Sequence, residues 1–406
     1  MPCPASGQIS IQDLVDEFGG TAPHSLSEYY RNAGLVPGNN TNVPTSGQCA
    51  LTNFYSAVNE IQHTHSDGDT HVDLSSVFGS NWASTVPKRV IIPSGVTVGG
   101  TTTHAINVPT GMGGTLVFDI SGNVLGYGGA ANSGVGGNAI YCAQTTGVTI
   151  NLNSGGTIKG GGGGGGAGGA GGRGGNGGNG GNGGQGRQSQ YLGYIIYDSN
   201  CSYRNATQRR NDCRNGYHYS SGKPTTTYAH CAGEWGSGYH VQSYRLNCYK
   251  YNYYNGGSGG AGGNSGGAGG SGGAGGRGEG YNQTAQNGSG GSGGSGGNLG
   301  AYGGSGSNGA GNGGRGGRRG TGGTGGTGGT GGSYGNQGAT GATGNQGATG
   351  STGSSGTNGN YTNGSGGAGG SSGVGGSAGT AGGLAGYYIY NRASITFNNS
   401  GTVAGR

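Results

Sequence analysis

One short segment has residue types and spacing that resemble a metal site, His63-Thr-His65-Ser-Asp67-Gly-Asp69-Thr-His71. Histidines two positions apart on an extended chain point to the same side, so His63 and His65 can offer imidazole nitrogens to one ion. The aspartates could instead hold Ca²⁺, although their spacing differs from that of an EF-hand loop. A third interpretation, a polar connector between two modules, stays open.

A second candidate site is the tyrosine-rich segment 187–254, which contains 13 of the 25 tyrosines. It has eight basic and three acidic residues and so carries +5 of the chain's net charge of +6. Tyrosine gives a large amphipathic contact area at low entropic cost, and arginine donates forked hydrogen bonds to phosphate or carboxylate. We therefore predict a recognition surface. Its candidate residues are Tyr191, Tyr194, Tyr197, Tyr203, Arg204, Arg214, Tyr217, Tyr219, Tyr228, Trp235, Tyr239, Tyr244, Arg245, Tyr249, Tyr251, Tyr253 and Tyr254.

Two other roles are open to this segment. A small β hairpin region whose tyrosines cover a thin core is the structural alternative. Aromatic and basic residues together can also bind single-stranded nucleic acid. A charge of +5 over 68 residues is modest, however, so we expect no nucleic-acid partner.

Four cysteines lie in the same segment, at Cys201, Cys213, Cys231 and Cys248. They form no Cys-x-x-Cys pair, so a zinc site has weak support. Two disulfides would stabilise a region that is poor in core residues. The sequence allows three pairings, and we expect the local one, which joins Cys201 to Cys213 and Cys231 to Cys248.

The sequence offers no catalytic constellation. Gly-x-Ser-x-Gly matches lie only within the glycine tract at 255–386, without the strand-turn-helix context of a nucleophile elbow, and neither a phosphate-binding loop nor a His-Glu-x-x-His motif occurs. We therefore expect neither enzyme activity nor a required cofactor. No apolar run reaches 18 residues, so membrane insertion is not expected. The N-terminus also lacks the basic start and apolar stretch of a signal peptide.

Glycine dominates the elements that must position these residues, with 115 of 406 positions. None of the nine prolines lies in a glycine tract, which argues against collagen. The tracts follow a Gly-Gly-X pattern, and polyproline-II geometry also has three residues per turn. Bare glycine edges let backbones approach closely, so we predict a polyglycine-II bundle at 160–186 and 255–386, with Gly160–Gly166 on an interior helix. A flexible linker is the alternative.

Two similar strand units flank this glycine-rich region. Ile150-Asn-Leu-Asn-Ser-Gly-Gly-Thr-Ile158 resembles Ile395-Thr-Phe-Asn-Asn-Ser-Gly-Thr-Val403. Each unit reads as a strand, a turn and a second strand. We infer that everything between them is one insertion whose ends meet in a shared β layer. Short β runs at regular spacing further predict a small β-solenoid or sandwich that frames the bundle.

A shorter repeat lies near the N-terminus. Pro4-Ala-Ser-Gly-Gln-Ile-Ser-Ile-Gln-Asp-Leu14 matches Pro44-Thr-Ser-Gly-Gln-Cys-Ala-Leu-Thr-Asn-Phe54, and each copy reads as a turn followed by a short helix. Ser10 is the predicted N-cap of a helix over Ile11–Phe18 that ends at Gly19-Gly20. Helices this short need a surface to pack on, either a partner or their own chain.

The predicted fold class is mostly β plus a glycine-rich polyglycine-II helical bundle, with short α-helices at the N-terminus. The expected divisions are an N-terminal attachment module at 1–62, a His-rich connector at 63–73 and a β domain at 74–159. The bundle at 160–186 and 255–386 follows, with the Tyr/Cys-rich insert at 187–254 as its binding loops and closing strands at 387–406.

These motifs resemble those of tailed-phage proteins. Ser6-Gly-Gln-Ile-Ser-Ile-Gln-Asp-Leu14, with Ser25-Leu-Ser-Glu-Tyr-Tyr30, looks like modules of phage tail and tail-fibre proteins. Val90-Ile-Ile-Pro-Ser-Gly95, Gly136-Gly-Asn-Ala139 and the glycine repeats resemble the receptor-recognising adhesins at the tips of T-even-type long tail fibres. The long insert with cysteines and the N-terminal module depart from that family.

The resemblance implies a virion adhesin that is assembled in the host cytoplasm. A polyglycine-II sandwich would display loops that bind a glycan or an outer-membrane protein of the host, and residues 1–62 would bind other tail proteins. His-x-His elements of phage fibres bind iron in trimers, which implies iron at His63 and His65 and a homotrimer, although a polyglycine bundle can also be monomeric. A purely structural tail-tip protein and a cellular glycine-rich surface protein are the alternatives.

Overall fold

The structure is a computed structural model that describes residues 3–198, 217–219, 225–229 and 241–406. These ranges contain two α-helices, α1 (Ile11–Phe18) and α2 (Leu74–Phe78). They also contain four 3-10 helices, at Leu26–Tyr29, Leu51–Phe54, Gly79–Asn81 and Arg392–Ser394. The strands are β1 (Ile61–Thr64), β2 (Val72–Asp73), β3 (Lys88–Ile92), β4 (Thr97–Gly99), β5 (Ile106–Val108), β6 (Leu116–Ile120), β7 (Asn123–Leu125), β8 (Ile140–Cys142), β9 (Val148–Leu152), β10 (Thr157–Lys159), β11 (Gly186–Asp198), β12 (Tyr217–Tyr219), β13 (Thr225–Ala229), β14 (Val241–Tyr254), β15 (Ile389–Tyr390), β16 (Thr396–Asn399) and β17 (Thr402–Ala404). The mostly β character that the sequence predicts is confirmed.

The N-terminal module is built on three capped helices. α1 begins and ends as predicted, because the Ser10 N–H donates to the Asp13 carboxylate at 2.7 Å and the helix stops at Gly19. The same bond, from the N–H of the cap to the side chain three residues on, recurs at the next two helices: Ser25 to Glu28 at 3.3 Å and Ala50 to Asn53 at 2.8 Å. The sequence repeat indicates two such units, and the structure shows a third.

The residue after each capping box is buried. Leu14, Tyr29 and Phe54 are fully buried and form the centre of a small core with Phe18, separate from the core of the strands. The short helices therefore pack on their own chain, which supplies the burial that a helix of four to eight residues needs.

Three parallel sheets follow, and the chain passes through them in turn. Their strand orders are β1-β3-β6-β9-β16, β4-β7-β10-β17 and β2-β5-β8-β15. Alternate residues face inward, so that Val90, Phe118 and Ile150 pair in register and are buried in one apolar core. The sequence predicts a small solenoid or sandwich here, and the structure shows parallel sheets around a shared core rather than a clear solenoid.

The two similar strand units do pair with each other. β16 lies parallel to β9 with Phe397 opposite Ile150, and β17 lies parallel to β10 with Val403 opposite Ile158. The second strands align as the sequence comparison predicts. The first strands are displaced by two residues, because the turn before Thr402 is two residues shorter than the turn before Thr157. The residues between the units therefore begin and end in adjacent strands.

Six glycine-rich segments run side by side between these strands. We name them G1 (160–185), G2 (256–279), G3 (286–304), G4 (311–332), G5 (336–359) and G6 (362–386). G1 is central: its N–H groups donate to G2 and G5, and its carbonyls accept from G4 and G6, with a bond every third residue at about 2.8 Å. Residues 160–166 are buried, as predicted for the all-glycine run.

Serine and threonine act as clamps along the outer segments. The Ser365 N–H donates to the Asn182 carbonyl at 2.8 Å, and the Asn182 N–H donates back to Ser365 Oγ at 2.7 Å. The same reciprocal pair joins Thr380 to Ala167 on the same two segments, G6 and G1. These hydroxyls accept from backbone N–H groups of G1 that have no backbone acceptor among the described residues, which explains the frequent serine and threonine in the third position.

The ends of the insert form a long antiparallel pair. β11 pairs with β14 from Gly186 opposite Tyr254 to Asp198 opposite Ser243, and β12 and β13 also pair with β14. The described part of this insert therefore consists of strands, whereas the sequence predicts binding loops there.

Stacked side chains run along the outer face of the third sheet. Tyr141 and Tyr390 stack with ring centroids 4.8 Å apart, and His104 stacks on Tyr141 at 4.9 Å. Burial lowers the pKa of His104, and His71 lowers it further. The folded chain therefore favours the neutral imidazole.

The chain should lose stability as the pH falls from 7 to 5. Below its ordinary pKa of about 6.5, His104 binds a proton more readily in the unfolded chain than in the fold, so the free energy of unfolding decreases. His104→Gln should reduce this slope in Tm measured in chelator at several pH values. An unchanged slope would contradict the effect, and His24→Gln, in the N-terminal module, is the control.

Interior glycines should not tolerate a methyl group. A Cβ at Gly168 would collide with the carbonyl oxygen of Gly326, whereas one at Gly366 would meet nothing within 4 Å. We predict that Gly168→Ala lowers the free energy of unfolding by about 1–3 kcal/mol, as overpacking does in cores. Gly366→Ala should change it by less than about 0.5 kcal/mol. Thermal unfolding of both variants tests the difference, and equal losses would argue against close packing at Gly168.

Candidate functional site

Three parts of the chain meet at the end of the bundle that lies away from the parallel sheets. G1 leads into β11, β14 returns into G2, and the turn between G5 and G6 lies beside them. The Arg187 N–H donates to Asn360 Oδ1 at 2.6 Å, and Asn360 Nδ2 donates to the Arg187 carbonyl at 2.9 Å. This two-point bond fixes the base of the insert to the turn.

Aromatic rings surround the same arginine. The Arg187 guanidinium lies 4.4 Å from the ring centre of Tyr251 and 5.2 Å from that of Tyr361. Tyr253 and Tyr361 are 4.9 Å apart and tilted by 62°. Tyr253 is 51% exposed and Tyr361 is 47% exposed. We call Arg187, Tyr251, Tyr253, Asn360 and Tyr361 the tip cluster; it combines exposed aromatic faces with a cation held in place.

The predicted recognition residues divide into three groups. Tyr251 and Tyr253 belong to the tip cluster, and Tyr254 is adjacent. Others are described only by their strand: Tyr191, Tyr194 and Tyr197 on β11, Tyr217 and Tyr219 on β12, Tyr228 on β13, and Tyr244, Arg245 and Tyr249 on β14. The rest lie outside the described residues: Tyr203, Arg204, Arg214, Trp235 and Tyr239.

The predicted disulfides also lie outside what the structure describes. Cys201, Cys213 and Cys231 are not among the described residues, and Cys248 is described only as part of β14. Their pairing stays a prediction. Elsewhere, Cys3, Cys49 and Cys142 are free thiols, and burial raises the pKa of Cys142 to about 11.

Three members of the tip cluster were not among the predicted site residues. Arg187 entered only the charge count, and Asn360 and Tyr361 lie more than a hundred residues further along the chain. One signal was available in the sequence: Asn360-Tyr361 interrupts the glycine triplets between G5 and G6. A segment turn that carries a tyrosine is a candidate for display at an end of the bundle.

The predicted metal residues come together with a third side chain. His63, His65 and Asp69 each offer a ligand atom, and these atoms lie within 4.8 Å of one another. His65 is buried and its Nδ1 bonds Asp69 Oδ2 at 2.8 Å. Its Nε2 is buried and has no hydrogen-bond partner among the described residues. A carboxylate on one ring nitrogen with the other left free is the arrangement of metal-binding histidines.

Burial favours the neutral form of the His63 ring at this cluster. Burial lowers the pKa of His63, and His65 lowers it further. The hydrogen bond from His65 lowers the pKa of Asp69, which keeps the carboxylate charged. Asp67 and His71 bond elsewhere: Asp67 accepts from the Thr97 N–H at 2.9 Å, and His71 contacts Thr101. Of the two aspartates that could hold Ca²⁺, only Asp69 therefore belongs to the cluster.

Comparison with known proteins gives one family. Residues 60–245 match the family model of the phage tail fibre adhesin Gp38. The matched region covers β1 to β10, G1 and most of the insert, but not β15 to β17, which complete the three parallel sheets. The resemblance to tail-fibre adhesins is confirmed over these residues, and with it the expected location in the virion tail fibre.

Two further comparisons add little. The crystal structure of the gp37-gp38 adhesin tip complex of the bacteriophage S16 long tail fiber is 15% identical, with 99% of this chain and 98% of that chain covered, at a TM-score of 0.31. A TM-score this low does not establish a shared fold. No curated protein matches the chain. None of the helices in the described ranges has the length and apolar character that a bilayer crossing requires.

Proposed function

We propose that the chain is a tail-fibre adhesin that binds the bacterial surface through the tip cluster and the strands of the insert. The observation that carries this proposal is the cluster itself, because exposed tyrosines around a fixed arginine form the type of surface that dominates binding energy at interfaces. The Gp38 family match supports the same role. The receptor is a glycan or an outer-membrane protein, and the chain acts by binding, without catalysis.

The scaffold in this proposal is a polyglycine-II bundle. Bonds at every third residue between neighbouring segments have the period of a helix with three residues per turn. The central position of G1 fits a bundle in which interior segments need two glycines per triplet. The three parallel sheets would be the sides of a small solenoid that anchors the bundle at the end opposite the tip cluster.

Residues 1–62 are the proposed attachment module. Its two Pro-x-Ser-Gly-Gln turns are exposed at 5–8 and 45–48, and each is fixed because a tyrosine hydroxyl donates to the glycine carbonyl: Tyr55 to Gly7 and Tyr30 to Gly47. Two rigid, similar turns on one compact module suit contact with another tail protein. We leave single-copy and trimeric assembly as the two forms to be distinguished.

Loss of the tip cluster should abolish attachment. We predict that the triple variant Arg187→Ala, Tyr253→Ala, Tyr361→Ala lowers adsorption of phage particles to host cells by about tenfold or more, because tyrosine and arginine hot spots cost about 2 kcal/mol each. The matched surface control is Val374→Ala, which lies 61% exposed on G6. Full adsorption by intact particles of the triple variant would favour the purely structural function instead.

We further propose a metal site at His63 and His65, with Asp69 as the residue that orients His65. The orphaned, buried Nε2 of His65 supports it, since a buried nitrogen without a partner is costly unless a ligand occupies it. Imidazole nitrogens with a nearby carboxylate suit first-row transition ions such as iron or zinc. In this form the cluster lies within a single chain, in contrast to the shared site of a trimer.

The number of bound metal ions per chain distinguishes a site within one chain from a site shared by three chains. The purified chain, loaded with Fe²⁺ or Zn²⁺ and desalted, should hold about one ion per chain as a monomer, whereas a shared trimer site would hold about one per three chains. His63→Ala and His65→Ala should reduce the content to background, and His24→Ala should not. Mass spectrometry for metals with light scattering measures both quantities. Unchanged metal in the His65 variant would exclude the site.

A further inference from the structure

A second surface lies on the side of the bundle, a short distance from the tip cluster. It consists of Leu299 and Tyr302 on G3 and Arg315, Arg318 and Arg319 on G4, and we call it the side patch. Its position follows from the bonding, because the Gly314 N–H donates to the Gly181 carbonyl, only a few residues before the end of G1. The patch therefore begins near the tip cluster and extends along the bundle as far as Gly320, whose N–H donates to the Gly175 carbonyl.

Leu299 and Tyr302 replace glycine where a side chain has room. Earlier triplets of G3 place Gly293 and Gly296 at the equivalent position, and a Cβ there would meet nothing within 4 Å. The side chains consequently extend into solvent: Leu299 is 52% exposed and Tyr302 is 78% exposed. Packing of the bundle does not require either residue, so their presence points to contact with something outside the chain.

Arg319 also replaces a glycine, but at a crowded position. The equivalent glycines, Gly316 and Gly322, have no room for a Cβ, because it would collide with carbonyls of G2. Opposite Arg319, G2 contains one additional residue, so that Gly263 and Gly267 bond successive triplets of G4. An Arg319 Nη donates to the Ser265 carbonyl at 2.8 Å in this widened part. The bundle is thus locally irregular where the arginines are concentrated.

The charge of the patch is not balanced by nearby carboxylates. The Arg315 guanidinium lies 4.2 Å from the ring centre of Tyr302, a contact that holds it at the surface. Arg318 follows at the same position of the next triplet and is exposed. In the part of the chain that the structure describes, neither arginine forms an ion pair. Segments G1 to G6 together contain five arginines and one acidic residue, Glu279.

We infer that the side patch binds phosphate or carboxylate groups of an anionic polysaccharide on the bacterial surface. Arginine donates paired hydrogen bonds to such anions, and an exposed tyrosine face stacks on sugar rings. The unpaired positive charge would also attract a polyanion over distance. The inference rests on the proposed adhesin function for the origin of the ligand, while the chemistry of the patch is independent of the tip cluster.

Binding to defined polysaccharides tests the anion chemistry. The purified full chain would be measured by biolayer interferometry against phosphorylated mannan, polygalacturonate and neutral dextran. We expect binding to at least one anionic polymer and none to dextran, and the better polymer identifies phosphate or carboxylate. Arg315→Gln with Arg318→Gln should weaken that binding roughly tenfold per arginine. Arg173→Gln, an exposed arginine on G1, should leave it within about twofold.

Three outcomes would overturn the inference. They are equal binding to dextran, equal loss in the Arg173 control, and equal affinity for single-stranded DNA, which would indicate general polyanion attraction. Adsorption to host cells distinguishes failure of the side-patch inference from failure of the proposed adhesin function. If the Arg315/Arg318 variant adsorbs normally while the tip-cluster variant does not, the adhesin function stands and the side patch has no part in attachment.

Discussion

The close approach of backbones without side chains is the interaction on which the rest of the structure depends. In G1 to G6 the hydrogen bonds run between segments and not within one segment, so every bond requires two segments of the chain at contact distance. A Cβ at most interior glycines would strike a neighbouring carbonyl. Glycine is therefore required here for its absent side chain, and its conformational freedom is a cost that the packing must offset.

That cost explains why both ends of the glycine region are tied down. At one end β10 and β17 are adjacent parallel strands, so G1 leaves the sheets beside the point where G6 returns. At the other end the antiparallel pair of β11 and β14 joins G1 to G2. The ends of G1, G2 and G6 are thus placed by conventional sheets, and the other segments bond to them in register, triplet by triplet. A small apolar core in the parallel sheets, with Phe118 and Ile150 at its centre, supports a much larger region that has no apolar core.

The parts of the fold that were predictable from the sequence are those written as local patterns or as repeats. The cap at Ser10, the Gly-Gly-X period and the pairing of the two similar strand units all have such signals. Contacts between residues that are far apart in the sequence have no such signal. Asn360 bonds Arg187 only because G5 and G6 turn back beside β11. The buried Lys88, whose Nζ donates to three backbone carbonyls, looks like an ordinary strand residue in the sequence.

Residues that interrupt the Gly-Gly-X period indicate candidate binding surfaces, whereas the regular triplets indicate only the scaffold. Within a regular triplet, the third residue serves the scaffold, as the clamps of Ser365 and Thr380 show. The side chain of a residue such as Tyr302 or Tyr361 forms no such clamp, and each is exposed near the end that holds the insert. A scaffold that uses backbone atoms for cohesion leaves its few large side chains free for other contacts. Among the described residues the exposed tyrosines, Tyr253, Tyr302 and Tyr361, lie toward the end away from the parallel sheets, which is the arrangement expected when binding is confined to the surface that reaches a target first.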